Sequence, residues 1–279
     1  MRALSDRLHA ISDAQPFTSS WYVKDLRSGE AIDRQGGEPM PSASTRKVSI
    51  MMAALREAHA GRIDLSSQVT IEARLQRNVA SGTYRYMTPG CAISVRDAIV
   101  NMIITSDNVC TQIVLEQLGP VDLNAYCRDL GMTNTMHRHN IPPIGLAYDH
   151  PVDAVTATTP ADQGLLLDLI QRGANDQAAA ARLGASSRLC QFALDVLSWQ
   201  LMRNMIPSLL PYGTRVASKS GRGRRGRMDV GIVYRAEQPR YIIAAFTDRV
   251  PETMPDGMPG FAAAFETVGR LSRACWDAL

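Results

Sequence analysis

Residues 42–61 read SASTRKVSIMMAALREAHAG. The apolar run from Val48 to Leu55 with a stop at Gly61 predicts a helix entered through Ser and Thr. At its start, Ser44-Thr45-Arg46-Lys47 sets a hydroxyl and an ammonium three residues apart, on one side of a turn and within contact reach. A helix N-terminus favours negative charge developing on the serine oxygen. Burial disfavours a charged lysine and lowers its pKa, which would let Lys47 take the serine proton. Alone, an S-x-x-K specifies little sequence, and a capping role for Ser and Thr beside a solvated Lys47 stands next to the catalytic one.

Outward from this stretch, residues 17–26 (FTSSWYVKDL) and 30–34 read as strands joined by a SerGly turn. Helical patterns follow over 94–104, 107–118, 122–130 and 161–172, and a further helix is expected over 186–205. Between them, 132–160 carries Pro142, Pro143, Pro151 and Pro160 with little periodicity, a long loop of the kind that is usually functional. Strands return at 226–236 and 240–248, and a closing helix spans 260–278 with Phe261, Phe265, Val268 and Leu271 on one face. The simplest assembly is α+β: terminal strands pair in one sheet and a helical segment is inserted between them. Its α/β lobe would be 1–43 with 206–279, its helical lobe 44–205, with the active site at their junction.

The 279 residues are 45% hydrophobic, enough for a real core, and the formal charge of +3 is too mild to mark a nucleic-acid binder or a polybasic membrane protein. Of the cations, 27 are Arg and only Lys24, Lys47 and Lys219 are Lys. That imbalance draws attention to the lysines, because Arg cannot lose its proton. No secretory signal or membrane-length apolar run is visible, so a cytoplasmic protein is expected. Five cysteines without CxxC spacing read as free thiols, with neither a disulfide framework nor a metal site. No cofactor motif is present, and nothing in the pattern specifies an oligomeric state.

Two further motifs give the S-x-x-K its meaning. Ser106-Asp107-Asn108 falls at the junction of two expected helices, and Lys219-Ser220-Gly221 precedes GRGRRGR and a strand. S-x-x-K, S-D-N and K-[ST]-G in this order are the signature of class A β-lactamases and penicillin-binding proteins. From about residue 17 to the C-terminus the chain resembles the class A β-lactamase family. The resemblance implies a β-lactamase/transpeptidase-like fold, with an antiparallel sheet, flanking helices and an inserted all-helical lobe. It implies an acyl-enzyme on Ser44, with Lys47 as base or proton relay and Ser106, helped by Lys219, passing the proton to the leaving nitrogen. Asn108 would bind the substrate amide and fix Lys47, while Ser220 would bind a carboxylate, with Gly221 and Arg222 beside it. The oxyanion hole would be the backbone N–H groups of Ser44 and Arg222. Asp107 is expected to be structural.

One departure is plain. The family supplies a Glu from the loop before the ThrThrPro helix to activate the deacylating water, and here no Glu occurs between Glu116 and Glu237. The register sets Ile141 near that position. Asp149, Asp153, His137 and His139 are the local substitutes, each set against an ordinary loop role. The expected behaviour is acylation through Lys47 with weak or absent β-lactam hydrolysis.

Among Arg222, Arg224, Arg225 and Arg227, one guanidinium would serve an anionic small-molecule acyl substrate, and the rest would be a solvated face. The run has no aromatic interleaving, so nucleic acid is not the expected partner, nor is a membrane. Tyr84 and Tyr86 are set where related proteins place a cleft-wall aromatic, or are ordinary packing. Three functional readings stand: a β-lactamase-like serine hydrolase; a cytoplasmic transacylase, peptidase or esterase of a biosynthetic or resistance pathway on the same scaffold; and a ligand-binding protein without turnover. The intact set of Ser44, Lys47, Ser106, Asn108 and Lys219 weighs against the last.

Overall fold

The computed structural model describes residues 1–279. The chain opens with helix α1 (Arg2–Asp13), then strands β1 (Thr18–Asp25), β2 (Ala31–Arg34) and β3 (Met40–Pro41). A 3₁₀ turn over Ala43–Arg46 leads into α2 (Lys47–His59). Two short strands, β4 (Gln68–Thr70) and β5 (Ala92–Ser94), precede α3 (Val95–Ile104), α4 (Asn108–Leu118) and α5 (Leu123–Leu130). After the long loop come β6 (Ala157–Thr158), α6 (Pro160–Gly173), α7 (Gln177–Arg182) and α8 (Ser187–Ser198). The chain closes with β7 (Val216–Arg222), β8 (Arg227–Arg235), β9 (Gln238–Asp248) and α9 (Gly260–Ala278).

The main sheet is antiparallel with strand order β2-β1-β9-β8-β7, so the strands from the two ends of the chain do pair, through β1 and β9. Period-2 alternation divides each central strand between two faces. On β9, Tyr241, Ile243 and Ala245 join a core with Leu4 and Leu8 of α1 and Val268 and Leu271 of α9. The alternate residues Ile242, Ala244 and Phe246 face the larger core built from α2, α3, α4, α6 and α8. Every one of these side chains is almost wholly buried, so each contributes up to about 1.5–3 kcal/mol if of Leu or Phe size, and truncating Ile242 to Ala would cost about 2–5 kcal/mol. The sheet is an α/β sandwich, with α1 and α9 on one side and the helical segment on the other. The N-terminal stretch is part of this fold: Trp21 on β1 donates from Nε1 to Ser12 Oγ at 3.1 Å, tying α1 to the sheet.

Three local expectations differ from the structure. The helix expected over 186–205 stops at Ser198. The chain turns there to cap α3: Leu201 N donates to Ile104 O, and Gln200 Nε2 donates to Ile103 O at 3.1 Å, satisfying carbonyls that a helix end leaves free. The Lys219-Ser220-Gly221 stretch does not merely precede a strand but lies on one, β7, all of it buried except Arg222. Ser and Thr do not cap α2: the Ala43–Arg46 turn intervenes, and neither that turn nor α2 has a side-chain cap. Thr45 instead donates back to Ser42 O at 2.7 Å. No helix is long and apolar enough to cross a membrane.

Candidate active site

Ser44 sits where β3 ends and the 3₁₀ turn begins, half-buried on the wall of a cavity of about 720 Å³. The preceding residue, Ala43, has φ of +42°, a left-handed conformation that costs an L-residue on the order of 1–3 kcal/mol. That strained bend sets Ser44 at the cavity edge. β7 passes close behind it: a Cβ on Gly221 would lie 3.2 Å from Ala43 Cβ and 2.8 Å from Met228 Sδ, so a larger residue would push β7 off Ala43. Gly221 itself does not line the cavity.

Lys47 opens α2 with its ammonium fully enclosed. Its Nζ donates to Ser106 O at 2.7 Å, Asn108 Oδ1 at 2.8 Å and Ser106 Oγ at 3.2 Å, and makes no hydrogen bond to Ser44 Oγ. Burial, and then the like charges of Lys219 and Arg46, push its pKa well below the ordinary lysine range. The direction of that shift disfavours the ammonium form relative to an exposed lysine.

Ser106 is held between α3 and α4 with φ of +57°. Asp107 fixes that junction: its Oδ1 accepts from Val109 N and Cys110 N at the start of α4, and its Oδ2 accepts from Tyr84 N at 2.9 Å. Asp107 is thus a helix cap and loop anchor. Ser81 adds a strap the sequence did not point to, donating from Oγ to Ser106 O at 3.0 Å while its carbonyl accepts from Asn108 N. Ser81, Ser106 and Asn108 all line the cavity.

Lys219 is also enclosed, with Nζ donating to Ser220 O at 2.7 Å. Burial pulls its pKa down to about 7, opposed by the buried carboxylate of Asp229 and aided by Arg222. Asp229, on β8 opposite Ser220, is itself pushed up to about 7 by burial, with Oδ2 accepting from Ile206 N at 3.1 Å and Oδ1 left without a partner. Ser220 and Arg222 reach the cavity wall; the two lysines lie behind it.

The long loop closes the opposite side. Pro142, Pro143, Ile144, Gly145 and Leu146 line the cavity, whereas Ile141, the residue expected near the absent Glu, packs against the helical core. The four substitutes separate clearly. Asp149 and Asp153 are exposed and off the wall. His137 is also off it: its Nε2 pairs with Ser49 Oγ at 3.0 Å, and burial, then Arg46, pull its pKa down to about 3. Only His139 reaches the cavity, joined by His150, which the sequence did not single out. No Asp or Glu lines the cavity at all. Neither Tyr84 nor Tyr86 lines it; Tyr84 packs on the helical core and Tyr86 is exposed.

Arg46, the third residue of the S-x-x-K, was overlooked in the sequence and is central in the structure. Its guanidinium is buried without a carboxylate and donates to His139 O and, at 2.5 Å, to Asn140 O. One side chain thus ties the turn that carries Ser44 to the loop that walls the site.

A family model described as the beta-lactamase enzyme family matches residues 3–279. The chain is 26% identical over 240 residues to the beta-lactamase CARB-3 of Pseudomonas aeruginosa, spanning 84% of this chain and 78% of that protein. An ancestral (GNCA) class A beta-lactamase superposes with a TM-score of 0.82 at 22% identity, over 99% of this chain and 100% of that one. A mutant of PBP-A, solved as an acyl-enzyme complex with penicillin G, superposes with a TM-score of 0.81 at 23% identity, over 100% of this chain and 98% of that one. The shared fold is therefore that of the class A enzymes.

Proposed function

The chain belongs to the beta-lactamase enzyme family, class A-like serine hydrolases, and from that premise we propose that it forms an acyl-enzyme on Ser44 with an anionic small-molecule β-lactam, amide or ester. The observation that carries this reading is the convergence of Ser44, Ser106, Asn108 and Ser220 on one cavity, with Lys47 hydrogen-bonded directly behind.

The steps balance as follows. Neutral Lys47 takes the Ser44 proton as Oγ attacks the substrate carbonyl carbon. The carbonyl oxygen becomes an oxyanion, met by the backbone N–H groups of Ser44 and Arg222, whose dipoles act only once charge has developed. The C–N or C–O bond then breaks, and the proton returns from Lys47 through Ser106 Oγ, 3.2 Å away, to the leaving atom. Ser220 holds the substrate carboxylate, Lys219 supplies a positive field behind it, and Asn108 orients the amide. The solved PBP-A complex, where penicillin G is attached to the enzyme, is in keeping with acylation on this scaffold.

Deacylation is the slow half. A carboxylate base for water is missing from the cavity wall, so hydrolysis of a β-lactam adduct is weak or absent. The same observation favours a second reading, transfer of the acyl group to an amine or alcohol that brings its own nucleophile. Five unpaired cysteines suit work in a reducing, cytoplasmic setting. A ligand-binding protein without turnover would have no use for a lysine whose charged form burial disfavours, placed against Ser106 and Asn108.

The test is to incubate the protein with a chromogenic β-lactam and follow colour and intact mass together. Acylation without efficient hydrolysis gives a persistent adduct that Ser44→Ala abolishes. Rapid colour release over many turnovers would overturn the slow deacylation, and tight binding with neither adduct nor colour would overturn the enzyme reading. Faster adduct loss on adding amines would favour the transferase.

A further inference from the structure

The turn from β7 to β8 carries four arginines, and they differ in what neutralises them. Arg225 is committed to the fold: it pairs with Asp248 through Nε at 2.9 Å and Nη2 at 2.5 Å, both residues nearly buried, and it also donates to His150 O. Arg227 is committed as well, donating to Gly223 O and Gly226 O at 2.7 and 2.9 Å and stacking on Phe261 at 3.4 Å, away from the cavity wall.

Arg222 and Arg224 are different. Both are exposed and both line the cavity. Arg222 has no carboxylate within ion-pair distance, and its guanidinium lies 5.6 Å from the Phe265 ring. Arg224 reaches only Glu252, at 4.0 Å and 82% exposed, a pair that solvent leaves nearly worthless. The wall contains no acid to offset them. A concave site with uncompensated charge of one sign concentrates counter-charged ligands. The single carboxylate assigned to Ser220 does not balance two guanidinium groups on the same wall. Arginine forks match a second carboxylate in geometry as well as charge, and about 720 Å³ is room for a drug-sized ligand.

We propose that the acyl donor is a dianion whose second carboxylate is bound by Arg222 and Arg224. This rests on the acyl-enzyme reading above, and the experiment separates the two. The probes are benzylpenicillin and the same penicillin carrying an added carboxylate on the side-chain carbon next to the amide. Equilibrium binding is measured by calorimetry in the non-acylating Ser44→Ala background, and acylation by intact mass in the parent.

The expected result is roughly tenfold tighter binding of the dianion, worth about 1.4 kcal/mol. That preference falls towards one in Arg224→Gln and shrinks in high salt, as contacts at an exposed charge do. Arg270→Gln, which removes an equal exposed charge from α9 outside the cavity, keeps it. Equal or weaker binding of the dianion, or a preference that survives in Arg224→Gln, overturns the subsite. Absence of any adduct in the parent overturns the acyl-enzyme reading alone, because the binding preference is measured without it.

Discussion

Lys47 Nζ lies 2.8 Å from Asn108 Oδ1 and donates to it, and this bond together with that to Ser106 O uses two N–H groups on carbonyl-type acceptors. A neutral lysine amine has only two N–H groups and one lone pair. In that form both N–H groups are engaged and the lone pair faces the third partner, Ser106 Oγ at 3.2 Å, which then donates to it. The relationship fixes the buried Lys47 amine against the α3–α4 junction and directs its remaining position at Ser106.

A guanidinium cannot serve there. Lys47→Arg keeps a charge and much of the length but cannot accept the Ser44 proton. Acylation by a penicillin, followed as the rate of adduct appearance in intact mass, is expected to fall by about 10²–10⁴-fold, the usual worth of a positioned base.

Supplying the missing carboxylate should shorten the life of the adduct. Pro142 and Pro143 line the cavity, and Pro143→Glu would place a carboxylate where the wall now has none. If the reading is right, the half-life of the penicillin adduct drops at least about tenfold, within the range of general-base contributions. An unchanged half-life with normal acylation would count against a base-limited deacylation.

Arg46 predicts two linked effects. Arg46→Met removes the donor to the carbonyls of His139 and Asn140 on the exposed loop, at about 0.5–1.5 kcal/mol for each hydrogen bond lost. It also removes a positive charge that holds the Lys47 pKa down. That pKa rises, so the neutral base appears at higher pH, and the acid limb of the acylation profile moves upward. A loop anchor without an electrostatic role would lower stability and leave the profile in place.

Lys219 links folding to pH. The unfolded chain holds this proton up to the ordinary lysine pKa of 10.5, whereas the folded chain releases it near about 7. The unfolded state therefore binds more protons between those values, and this residue's contribution favours folding increasingly as pH rises through the window. Below about 7 its full penalty is present. Lys219→Met is expected to melt higher than the parent at pH 6, by roughly 2–4 °C for each kcal/mol relieved, with the gap closing towards pH 10.

The S-x-x-K, S-D-N and K-S-G strings were legible because each is a local arrangement with its own turn chemistry, and together they implied both the sheet-and-helix architecture and one cavity. β7 was not read as a strand because Ser218, Lys219 and Ser220 are polar yet fully enclosed, which erases the alternation that marks a strand. The end of α8 at Ser198 depended on carbonyls of α3, nearly a hundred residues earlier. Arg46 was passed over because only the folded loop shows what its guanidinium holds. His150 reached the wall through Arg225, whose partner Asp248 sits at the far end of β9, a pairing no spacing rule contains.

The left-handed bend at Ala43 has an evolutionary consequence. Glycine adopts that conformation without the penalty alanine suffers, so Ala43→Gly is a locally available gain in stability. It would also loosen the main chain next to Ser44, whose N–H is one of the two donors of the proposed oxyanion hole. A population screened only for heat resistance would drift towards glycine at position 43, and one screened for turnover would be held back from it, so this single codon is where the two selections part.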